Sequence, residues 1–113
     1  ESQLIELYDA TIAAFPALAA MITTIREEHA AHVEAVRPQG ATPPTTTPSA
    51  STAPVVAGTQ QVALANLIDA ERRATGQRTQ ACEAAGSMQT ARLLALIAAS
   101  EAGHVEFLRR ASS

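Results

Sequence analysis

Five of the chain's six prolines fall within residues 38–58, PQGATPPTTTPSASTAPVVAG. Proline lacks an N–H and fixes φ, so this stretch cannot be helix or central strand; it reads as an extended spacer leaning towards polyproline II. It divides the 113 residues into a first helical hairpin, 1–37, and a second, 59–113, predicted to fold together as one domain.

The flanks carry helical spacing. Ile5, Tyr8, Ile12 and Phe15 recur three and four apart, and Pro16 ends that helix and suits the first turn of the next. Leu18, Ile22, Ile25 and Val36 share a stripe that Pro38 closes. Leu64 and Leu67 mark a third helix with Thr59 as its cap, and Gly86-Ser87 reads as a closing glycine followed by a new cap. Leu94, Ile97 and Leu108 mark a fourth, whose last turn holds Arg109 and Arg110. The two short turns require antiparallel hairpins. The 21-residue spacer spans about 65 Å extended, enough to cross a bundle lengthwise. Short–long–short connections predict an all-α, ferritin-like four-helix bundle with helices two and three parallel.

Composition sets limits. Of 113 residues 26 are alanine, so buried area per residue is modest. A net charge of −3 argues against a nucleic-acid surface. No stretch approaches the roughly 20 apolar residues of a membrane span. The single Cys82 excludes an intrachain disulfide and a cysteine-based zinc site and reads as a small buried hydrophobe. No Ser/His/Asp set or Gly-rich phosphate loop is recognisable.

The chemistry lies in an internal repeat. Leu18, Ile22, Ile25, His29, His32 and Val36 are matched 72 positions later by Thr90, Leu94, Ile97, Glu101, His104 and Leu108. His29/His32 and Glu101/His104 therefore occupy equivalent core-facing positions, three apart on one helical face. Hairpin register brings Glu71 opposite Glu101 and His104, and Glu1 between His29 and His32, with Glu28 at the edge. Buried carboxylates and imidazoles must pair or bind metal. Tyr8 reads as a core tyrosine with a bonded hydroxyl. Glu27, Glu34, Glu83 and Glu106 read as solvated, and Arg72 and Arg73 as surface charges. Gly103 leaves room for close helix approach or for a ligand.

A Glu on one helix and Glu-x-x-His on its partner, duplicated, resembles the di-iron carboxylate pattern of ferritin-like proteins. Glu71 with Glu101-Ala102-Gly103-His104 matches one half; His29-Ala30-Ala31-His32 departs in the other, where Glu28 and Glu1 are the available carboxylates. The whole chain resembles alanine-rich, exported ferritin-like proteins of actinobacteria, and its Thr/Ser/Pro spacer resembles their O-glycosylated linkers. The resemblance implies an extracytoplasmic, cell-envelope location with an upstream lipid anchor, the pattern at Glu1 beginning in mid-helix. The expected function is a non-catalytic module that binds a protein partner or a second copy, with a degenerate metal site. The alternative is a metalloprotein holding iron, manganese, zinc or copper among Glu1, Glu28, His29, His32, Glu71, Glu101 and His104.

Overall fold

A computed structural model describes residues 1–38, 53–56 and 58–113. Four helices form, and there is no strand among the described residues: α1 Ser2–Ala14, α2 Ala19–Val36, α3 Gln60–Glu83 and α4 Met88–Ala111. A residue before proline is pushed out of the α region, and Phe15, at φ −132° and ψ 76°, ends α1 on that account. Pro16 then opens a 3₁₀ turn, Pro16–Leu18, that leads into α2. The chain direction turns by 116° between Ser2–Ala14 and Pro16–Val36, so the first hairpin is splayed.

The predicted caps form. The Thr59 hydroxyl accepts from the Val62 N–H at 3.3 Å and the Ser87 hydroxyl from the Thr90 N–H at 3.1 Å. Gly86 does not supply a left-handed closure, because the end of α3 tightens instead. Ala84 N–H bonds to Gln80 O at 3.1 Å and Ala85 N–H to Cys82 O at 3.2 Å, which satisfies the terminal carbonyls. Among the described residues the left-handed glycine is Gly58, φ 96°, immediately before the Thr59 cap.

α1 packs on α2 and α3 on α4; α1 also meets α3, and α2 meets α4. The core joins Tyr8, Ile22, Leu67 and Leu108, all fully buried, to Leu4, Leu18, Ile25, Leu64, Ile68 and Val105. The stripes on α2 and α4 lie inward through Leu18, Ile22, Ile25 and His29, and through Ile97, Glu101, His104 and Leu108. Their ends do not: Val36, the last residue of α2, and Thr90, in the first turn of α4, are exposed.

On α1 the inward row is Leu4, Tyr8 and Thr11: Tyr8 is where the spacing predicts it, while Leu4 and Thr11 take the places of Ile5 and Ile12, which with Phe15 are half-buried at its flanks. Thr11 is tolerated there because its hydroxyl donates to Leu7 O at 2.7 Å. Cys82 is half-buried, and its thiol donates to Ala91 O across the α3–α4 turn. A Cβ at Gly103 would meet nothing within 4 Å, so this glycine faces open space and serves no close helix approach. The spacer and its glycosylation lie outside the described residues apart from 53–56, which are neither helix nor strand. Among the described residues no single helix is long and apolar enough to cross a membrane.

Candidate metal centre

The repeat delivers its polar pairs to one level of the bundle. His29, Glu71 and Glu101 are completely shielded from solvent and His104 is 6% exposed. Glu71, from α3, lies at the centre. Its Oε1 accepts from the Tyr8 hydroxyl at 2.6 Å and from His29 Nε2 at 2.7 Å, and His104 Nδ1 stands 3.4 Å away. Three helices thus converge on one carboxylate, and Tyr8 is the hydrogen-bonded core tyrosine that its position predicts.

Both flanking histidines are held from behind by a second carboxylate. Glu1 Oε2 lies 2.7 Å from His29 Nδ1, and Glu28 Oε2 lies 2.7 Å from His104 Nε2. Glu28 is half-exposed and is itself touched by the Ser100 hydroxyl at 3.3 Å. It therefore meets the outer nitrogen of His104, while the inner one, Nδ1, turns to Glu71. His32 is less enclosed, with Nδ1 3.6 Å from Glu1 Oε2. Two ligand triads result, with donor atoms within 4.8 Å of one another: His29, Glu71 and His104, and Glu1, His29 and His32. Glu101 belongs to neither, although it is buried one turn before His104.

Arg78 completes the cluster and was not anticipated. Its Nε and Nη2 donate to Glu1 Oε1 at 3.0 and 2.7 Å, and Nε lies 3.6 Å from Glu101 Oε1. In an alanine-rich helix an arginine reads as a surface charge. The available signal was its spacing, seven residues after Glu71 on the same face of α3.

Electrostatics follow from these contacts. Burial pushes Glu71 upward, but the neighbouring His104, together with hydrogen bonds from His29 and Tyr8, outweighs it and brings its pKa down to about 2. Burial acts upward on Glu1 too, and His29 and Arg78 take it well below the usual carboxylate range. Burial lowers His29, yet its hydrogen bonds to Glu1 and Glu71 raise it to about 9. Glu101 is pushed up to about 8, by burial first and then by the Glu1 carboxylate beside it. His104 is raised against its burial by Glu71 and Glu28, whereas burial lowers His32. At neutral pH the ion-free cluster pairs Glu71 with His29 and Glu1 with Arg78, and Glu101 is protonated.

That pairing leaves buried atoms over. Glu71 Oε2, both Glu101 oxygens, His32 Nδ1 and His104 Nδ1 have no hydrogen-bond partner among the described residues. Each such atom costs about 1–3 kcal/mol, and native interiors hold few of them. A cation held by Glu71 and His104 removes the penalty of two of them, Glu71 Oε2 and His104 Nδ1.

Of the residues predicted for the site, Glu1, His29, His32, Glu71 and His104 lie in the triads, whereas Glu28 stands behind His104 and Glu101 beside Arg78, both outside them. No family model matches the chain, and neither a curated protein nor a solved structure matches it.

Proposed function

We propose that this chain is a metal-binding helical bundle that holds a transition-metal ion through His29 Nε2, Glu71 and His104 Nδ1. The observation that carries the reading is the set of unpartnered buried ligand atoms, with Glu71 Oε2 and His104 Nδ1 among them. Hydrogen bonding among the protein groups alone does not satisfy them, so metal binding is preferred to a partner-binding module whose Glu and His residues only pair with one another.

The outer contacts support the same conclusion. A histidine that binds metal donates its other N–H to a carboxylate in most sites, which fixes its tautomer. His29 does so to Glu1 and His104 to Glu28. Two imidazoles and a carboxylate suit iron, manganese, zinc or copper. When bound, such an ion supplies a Lewis-acid or redox centre inside the bundle. The chain's own residues orient the two rings, exclude water from Glu71, and neutralise Glu1 through Arg78. We extend the proposal to a ferritin-like connection with α2 and α3 parallel. The long spacer and the contacts of α1 with α3 and of α2 with α4 support it.

The test is a cobalt(II) titration followed by visible absorption and thermal melting. The expected result is a ligand-field band that grows with metal and a rising Tm, both absent in Glu71→Ala and His104→Ala. Loss of the band in neither variant, or no band in the unaltered protein, contradicts the assignment.

A further inference from the structure

The two triads share His29, and this geometry bears on how many ions the bundle can hold. A neutral imidazole offers one lone pair and one N–H. His29 Nε2 faces Glu71 at 2.7 Å and Nδ1 faces Glu1 at 2.7 Å. If the lone pair serves the Glu71 side, the N–H is committed to Glu1. The Glu1 triad then keeps only His32, 15% exposed, as an imidazole ligand.

Arg78 decides which triad keeps the lone pair. Its guanidinium donates twice to Glu1 and lies 3.6 Å from Glu101. Glu1, on that side of His29, already has its cation. Glu71, by contrast, pairs among the described residues only with His29 and His104. The second ligand position is thus filled from within the chain, and the first is left open.

We infer that the Arg78 guanidinium takes the place of a second metal ion, so that the bundle binds one transition ion, at His29, Glu71 and His104, while the Glu1–Arg78 pair supports His29 from behind. The inference rests on the metal-binding reading above. It identifies Arg78 as the residue that sets stoichiometry.

Equilibrium dialysis against zinc(II) and cobalt(II), with circular dichroism to confirm folding, tests it. The unaltered protein and Arg78→Lys are expected to hold one ion per chain. Arg78→Gln, which keeps a hydrogen-bond donor and loses the charge, is expected to hold two, and adding His32→Ala should return it to one. If the glutamine variant does not fold, Arg78→Met, which also removes the charge, is expected to hold two ions in its place, and His32→Ala in the unaltered background tests which triad is occupied. It should retain one ion with affinity within about threefold, while His104→Ala retains none. Two ions in the unaltered protein, one in folded Arg78→Gln or Arg78→Met, or loss of the ion in His32→Ala overturns the role of Arg78 and leaves metal binding standing. No uptake by any form overturns both.

Discussion

Tyr8, Glu28, His29 and Glu101 show how single side chains are held at this centre, and each has a measurable consequence. The Tyr8 hydroxyl bonds a buried carboxylate at 2.6 Å. Tyr8→Phe should therefore lower the unfolding free energy by about 1–3 kcal/mol, read from a urea transition. Glu28 is half-exposed and touches only the outer nitrogen of His104 and Ser100. Glu28→Ala should weaken metal affinity by roughly 10–100-fold with little change in the metal-free Tm.

The raised pKa values fix the pH response of the metal-free protein. The contribution of His29 is complete below its ordinary 6.5 and is lost as pH rises through about 9. Glu101 contributes through its protonated form, which is lost as pH rises from 4.5 through about 8. His104, also raised, acts in the same direction, and His32, lowered, opposes them. Glu71 works at the acid end, where its contribution is lost as pH falls from 4.5 towards about 2. The metal-free Tm should therefore fall between pH 6.5 and 9. A bound metal takes the place of the His29 proton, so the gain in Tm on adding metal should grow over the same interval. Thermal melts across pH, with and without zinc(II), check both slopes.

At the scale of the helices, the 72-residue repeat made most of the centre legible, because helical period and hairpin register together place His29, Glu71 and His104 at one height. The same reasoning gave Glu1 and Glu28 their neighbourhood but not their roles. Which nitrogen of a ring faces a carboxylate depends on side-chain rotamers, and spacing carries no information on those. Arg78 was illegible for a related reason: its long side chain folds inward from a helix whose other arginines, Arg72 and Arg73, are exposed. The inward row of α1 takes Thr11 in place of Ile12 because Thr11 satisfies its own hydroxyl within the helix, which permits a polar residue where an apolar one was expected. Gly103 serves no packing purpose in α4. Gly103→Ala should raise stability by about 0.5–1 kcal/mol, from helix propensity alone, measured by denaturant unfolding with metal content unchanged.

At the scale of the molecule, a core of modest size encloses a highly polar centre. Leu67 is fully buried at the heart of the apolar cluster. Leu67→Ala should cost about 2–5 kcal/mol, a large share of the stability of a small domain, about 5–15 kcal/mol. A ligand that binds only the folded state adds stability in proportion to the logarithm of its concentration over Kd. An ion at His29, Glu71 and His104 ties α2, α3 and α4 together, and so links both hairpins through the polar centre as well as through the apolar core. The measurement that addresses this most directly is elemental analysis of the protein purified without chelator, beside His104→Ala prepared identically. One transition-metal ion per chain is expected in the first and none in the second. An equal metal content in the two, or no metal in the unaltered protein even after reconstitution with iron, manganese, zinc and copper, contradicts that expectation.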